Sequence, residues 1–137
     1  MTQPFSGRSI LIIEDEVLIG VMLASEIVKA GGTAIGPVRS VADALAAISA
    51  QSIHVAVLDA KLADGSAAEL PRHLASHGIP FVVVSGYEQT ALPAELRSAP
   101  FIAKPISLPP LMEAIERLLV AAVGGRPPAS SSRKPPS

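Results

Sequence analysis

The run Val55-Ala56-Val57-Leu58 carries no polar residue before it stops at Asp59. An unbroken β-rich apolar stretch is what a strand buried on both faces requires, and burial on both faces is the ordinary condition of a parallel sheet. Ser9-Ile10-Leu11-Ile12-Ile13 and Phe81-Val82-Val83-Val84 repeat the pattern, and residues 33–38 and 101–103 add two shorter runs. Helical patterns separate these runs. Strand and helix in alternation imply βαβ units, hence an α/β fold: a doubly wound five-stranded parallel sheet with helices on both faces.

The helical segments differ in how clearly they are marked. From Val17 to Ala30, Ile19, Leu23, Ile27 and Ala30 recur at helical spacing, and Gly31-Gly32 closes the helix. Val17, Leu18, Val21, Met22 and Val28 widen its apolar arc beyond one sheet contact, so Leu18 and Met22 belong either to a partner surface or to further core. Ser40 followed by Asp43 predicts a capped second helix with Val41, Leu45 and Ile48 on one face. The third helix is expected from Ala67 or Ala68 to His77, with Pro71 in its first turn. Pro93 and Pro100 leave residues 88–99 room only for a short or irregular fourth helix. Ser107 opens the last helix, with Leu111, Ile115, Leu118 and Ala122 inward and Met112 and Leu119 beside them.

Composition narrows the function classes. At 137 residues the length suits one domain with a proper core. The organisation expected is an extension over residues 1–7, a folded domain over 8–123 and a disordered tail over 124–137, rich in Pro and Ser. The absence of cysteine excludes a disulfide framework and thiolate metal sites. Residues 1–123 hold 8 basic and 12 acidic groups, a balance that argues against a nucleic-acid surface. No apolar run approaches the roughly 20 residues of a membrane span, and no secretory leader is evident. A cytoplasmic protein without membrane insertion is expected.

In a parallel sheet all strand carboxyl ends share one edge, where open α/β folds place their chemistry. That edge would collect Glu14 and Asp15, then Asp59, Ser85 and Lys104. Each has a plainer reading alone. Asp59 could open a turn with Asp64-Gly65, and Glu14-Asp15-Glu16 could start a helix, though three adjacent acids also suit a hard cation. His54 reads as a core or edge residue, and His73 and His77, four apart, as solvated surface.

With this constellation the sequence resembles the receiver domain of two-component response regulators over residues 8–123. The correspondence rests on the Glu14-Asp15 pair, Asp59, the Ser85 hydroxyl and Lys104-Pro105, each at the end of its expected strand. The resemblance implies a flavodoxin-like strand order 2-1-3-4-5 and makes Asp59 the phosphoacceptor. It also implies that Glu14, Asp15 and Asp59 hold Mg2+ (or Mn2+) together with the backbone carbonyl of Lys61. Phe101 takes the place of the aromatic switch residue, Ser85 acts with it, and the Lys104-Pro105 bond is cis. Only 18 residues separate Ser85 from Lys104, and Phe81 with Ser85-Gly86-Tyr87 resembles the stand-alone alphaproteobacterial subgroup whose motif reads Phe-x-x-x-Thr-Gly-Tyr. Lys61 and Tyr87 lie where that family tunes hydrolysis of the aspartyl phosphate.

The chemistry agrees with the resemblance. A carboxylate attacking a phosphoryl group approaches an anion, so a divalent metal and a lysine must supply positive charge. The implied function is a single-domain response regulator that receives a phosphoryl group from a histidine kinase or phosphotransfer protein and signals to a downstream protein by contact. It would be no enzyme beyond autocatalysed phosphotransfer and dephosphorylation. The competing readings are a receiver-like binding module independent of phosphorylation, and a phosphatase or mutase. The latter class usually carries a second acid where this chain has Lys61.

Overall fold

The computed structural model describes residues 3–63, 69–86 and 94–125. Its elements in order are β1 (Ser9–Ile13), α1 (Val17–Lys29), β2 (Thr33–Val38), α2 (Val41–Ala50), β3 (Val55–Asp59) and a single 3-10 turn (Ala60–Ala63). Then follow α3 (Glu69–Ser76), β4 (Phe81–Ser85), α4 (Ala94–Arg97), β5 (Phe101–Ala103) and α5 (Leu108–Gly125). All strand pairs are parallel, in the order β2-β1-β3-β4-β5. The doubly wound parallel sheet expected from the alternation, and the flavodoxin-like order implied by the resemblance, are the ones observed.

Side chains alternate across the sheet, so the apolar runs fill two cores at once. Leu11, Ile13, Ala56, Leu58 and Val83 face α2 and α3, against Ala44, Ile48, Leu70 and Leu74. Ile10, Ile12, Val55, Val57, Val82 and Val84 face α1 and α5, against Leu23, Ile27, Leu111 and Ile115. This explains why β3 is buried at every position and why its sequence shows no alternation.

Local signals place the helix ends. Ser40 Oγ accepts the Asp43 N–H at 3.1 Å, as the capping pattern predicted. Gly31, at φ 92°, follows α1 while its N–H reaches Val28 O and the Gly32 N–H reaches Ile27 O. That is the paired closure for which a left-handed glycine is suited. Pro71 lies in the first turn of α3, and α4 has only four residues.

Three details differ from expectation. On α5 the buried row is Leu111, Ala114, Ile115 and Leu119, with Leu118 only partly covered, so the inward face is rotated toward Leu119. The helix runs to Gly125, two residues into the segment read as tail. Residues 3–7, read as an extension, pack onto the domain. Phe5 is 1 % exposed between α1 and α5, and its N–H donates to Ala30 O at 3.0 Å. The Asp64-Gly65 turn, the helix start at Ala67 or Ala68, Tyr87, Pro93 and the tail from Arg126 onward lie outside the described residues.

Candidate phosphoacceptor site

Parallel strands bring their carboxyl ends to one rim, and the polar residues that terminate them meet there. β3 delivers Asp59, which is 2 % exposed. Its Oδ1 accepts the Lys61 N–H at 3.1 Å, because the 3-10 turn folds the chain back over the strand end. Its Oδ2 lies 3.4 Å from Lys104 Nζ. Ser85 ends β4 as a buried residue paired with Ala103, and its carbonyl accepts the Lys104 N–H at 2.8 Å. Thus β4 and β5 set Lys104 directly beside Ser85. An added Cβ at Gly86 would meet nothing within 4 Å among the described residues.

The acids arrive from the loop between β1 and α1. Glu14 N–H donates to Val38 O at 3.0 Å and Arg39 Nε donates to Asp15 O at 3.3 Å, so the end of β2 holds this loop in place. Glu14 is 1 % exposed, and its Oε2 accepts the Glu16 N–H at 3.1 Å and faces Lys104 Nζ at 3.4 Å. Burial raises its carboxyl from 4.5 to about 7, assisted by a hydrogen bond with Asp59 and that neighbour's charge; the Glu16 N–H and Lys104 oppose the shift. Burial alone would lower Lys104, yet its hydrogen bond to Glu16 and the charges of Asp59, Glu14 and Glu16 hold it above its usual value.

Glu14, Asp15 and Asp59 offer carboxylate oxygens that all lie within 4.8 Å of one another. Asp15 Oδ1 is buried and has no hydrogen-bond partner among the described residues. Lys104 alone pairs with Glu14, Glu16 and Asp59 among the described residues. Clustered carboxylates with an orphaned buried oxygen are a donor set suited to a hard divalent cation. The residues present fit the metal that the acidic run and the resemblance implied.

Several solved structures share this fold. SdrG from Sphingomonas melonis Fr1 is 32% identical, with 85% of this chain and 98% of that one covered at a TM-score of 0.70. The BeF3-activated conformation of SdrG, from Pseudomonas melonis Fr1, gives the same identity at 0.69, with 86% and 98% covered. The chain belongs to the response regulator receiver domain family. A CheY-like receiver domain protein from Methanospirillum hungatei JF-1 is 24% identical, with 85% and 96% covered at a TM-score of 0.69. A response regulator from Burkholderia pseudomallei with a phosphorylated aspartic acid, calcium ion and citrate is 21% identical, with 85% and 69% covered at 0.70. No family model and no curated protein matches the sequence.

Within this receiver domain, Glu14, Asp15, Asp59, Ser85 and Lys104 converge at the rim. The Lys104-Pro105 bond is cis, as is Gly36-Pro37. Phe101 stands apart at the start of β5, opposite Val83 and half-buried against the α2–α3 core. Leu18 is 85 % exposed, and Val21 and Met22 share its open face, so the wide apolar arc of α1 is surface and not further core. His54 Nδ1 accepts the Ser9 N–H at 2.9 Å and has a structural place, while His73 and His77 are exposed. Glu16 was legible only as the third acid of a run. It lies outside the carboxylate cluster and makes the shortest contact to Lys104, 2.6 Å from its Oε1.

Proposed function

We propose that the chain accepts a phosphoryl group on Asp59 from a histidine kinase or phosphotransfer protein and passes the signal to a downstream protein by contact. The observation that carries this reading is the environment of Asp59: buried, hydrogen-bonded by the Lys61 N–H and Lys104, and adjoining two further acids. A structural carboxylate at a turn has no use for such surroundings.

Asp59 is the nucleophile. One carboxylate oxygen forms a bond to phosphorus, the bond from phosphorus to the donor nitrogen breaks, and the donor imidazole leaves with the electron pair. The Lys61 N–H orients the carboxylate through Oδ1. Lys104 lowers the repulsion between Asp59 and the incoming anion and then pairs with a phosphoryl oxygen as a point charge. Ser85 donates its hydroxyl to another oxygen, beside Gly86, where no described residue would crowd an added Cβ. Glu14, Asp15, Asp59 and the Lys61 carbonyl hold Mg2+ or Mn2+, which when bound supplies the remaining positive charge.

Downstream, Ser85 and Phe101 convert the new charge into a changed surface near β4 and β5. The exposed Leu18 and Met22 on α1 form the face that docks the phosphoryl donor, a reading supported by apolar side chains left in the open beside the rim. No helix among the described residues is long and apolar enough to cross a membrane, which suits a cytoplasmic signalling role. No catalysis beyond turnover of its own aspartyl phosphate is proposed.

Titration with magnesium and beryllofluoride, followed by amide NMR, tests this reading. New resonances are expected for Ser85, Gly86 and Lys104 in the wild-type protein and none in Asp59→Asn. Identical spectra with and without the phosphoryl mimic would refute it.

A further inference from the structure

We propose that Glu16 restrains phosphotransfer by holding Lys104 in the resting protein and competing for it with the phosphoryl group. This rests on the reading of Asp59 as phosphoacceptor. An ammonium has three donors, and Lys104 faces three carboxylates: Glu16 at 2.6 Å, Glu14 at 3.4 Å and Asp59 at 3.4 Å. The lysine assigned to the phosphoryl group is therefore drawn closest to a residue that takes no part in the transfer.

Among the described residues the Glu16 side chain pairs with Lys104 alone. It caps α1, yet its side chain makes no hydrogen bond to the helix. It does not join Glu14, Asp15 and Asp59 in the cluster that suits a cation. Glu14 and Asp59 are buried with only 2 % of each side chain exposed, so neither can give up Lys104 to water cheaply. The Glu16 side chain is 50 % exposed and can be rehydrated at little cost. When the donor presents its phosphoryl group, Glu16 is the partner that Lys104 releases. That exchange adds to the barrier for transfer and sets how much of the lysine's charge reaches the incoming oxygens.

Acetyl phosphate with magnesium measures the effect without a partner protein. Asp59 Oδ bonds to phosphorus, the anhydride P–O bond breaks, and acetate leaves with the electron pair. Phosphorylation rates, read by intact mass at fixed ionic strength, are compared for wild type, Glu16→Gln, Glu16→Ala and Glu16→Asp. Loss of an ion pair of this exposure is expected to raise the rate constant per unit donor by about two- to fivefold in Glu16→Gln and Glu16→Ala. Glu16→Asp keeps the charge but shortens the reach, and is expected to be as fast as Glu16→Gln. Wild-type rates in Glu16→Gln, or a wild-type rate in Glu16→Asp beside a fast Glu16→Gln, overturn the proposal. The second pattern would assign the effect to net charge alone. Should wild type and every variant take up no phosphoryl group, the Asp59 reading itself fails; a phosphorylated wild type unmoved by these substitutions removes only the restraint.

Discussion

Lys104 Nζ lies 3.4 Å from Asp59 Oδ2, although β4 separates the strands from which the two residues come. The lysine spans the strand end that carries Ser85 and neutralises acids drawn from β3 and from the loop after β1. Replacing it removes the cation common to Glu14, Glu16 and Asp59. Lys104→Met is expected to lower stability in EDTA by about 1–3 kcal/mol, less than for a fully buried pair because the ammonium retains contact with water. Magnesium is expected to recover part of that loss. Thermal melts with EDTA and with magnesium check both.

Glu14 gives the metal-free protein a pH dependence whose sign is fixed. Its folded-state carboxyl, at about 7, holds a proton that the ordinary carboxyl releases near 4.5. Its contribution to stability is thus greatest below 4.5 and declines as pH rises to about 7. His54 acts in the opposite sense: burial, then the charge of Arg8, lowers it from 6.5, so its contribution grows as pH rises through that region. Urea unfolding from pH 4.5 to 8 in EDTA, with Glu14→Gln as the reference, isolates the first effect. Wild type is expected to lose stability relative to the variant across this range, and magnesium is expected to reduce the loss.

Gly20, on the buried side of α1, is packed against the Pro37 ring. A Cβ at this position would lie 2.6 Å from Pro37 Cβ and 2.6 Å from Cγ. Gly20 sits within α1 and the Pro37 ring is fixed to the β2 backbone, so the clash cannot be relieved by a flexible side chain. Gly20→Ala is expected to destabilise by about 1–3 kcal/mol through overpacking, despite the better helix propensity of alanine. A chemical denaturation curve measures it.

Phe5 tests where the folded unit begins. Its ring is buried among Ile10, Ile27 and the α5 row, although residues 1–7 carry no periodic signal. Phe5→Ala is expected to cost about 3–5 kcal/mol, the range for a buried aromatic, whereas a true extension would tolerate the change. Equilibrium unfolding of the variant gives the value.

The contrast between Asp59 and Phe5 shows what the sequence could convey. Asp59 follows four apolar residues, and parallel-sheet geometry alone carries such a strand-terminal acid to the common rim. Glu14, Ser85 and Lys104 follow by the same rule, which is why their meeting at one rim was legible before the structure. Phe5 is a lone aromatic before the first strand, and only the close approach of α1 and α5 gives it a core to enter. The rotation of α5 toward Leu119 is a similar case: Leu118 and Leu119 are adjacent leucines, and packing against β3 and β4 chooses between them. Glu16 was the harder case, because three consecutive acids look alike until the α1 cap turns one of them away from the cluster and onto Lys104.

Everything proposed for this rim depends on Asp59 receiving a phosphoryl group. Intact mass spectrometry after incubation with magnesium and acetyl phosphate tests it most directly. Wild type is expected to gain the mass of one phosphoryl group and Asp59→Asn none; an unchanged wild-type mass, or the same gain in both proteins, would contradict the account.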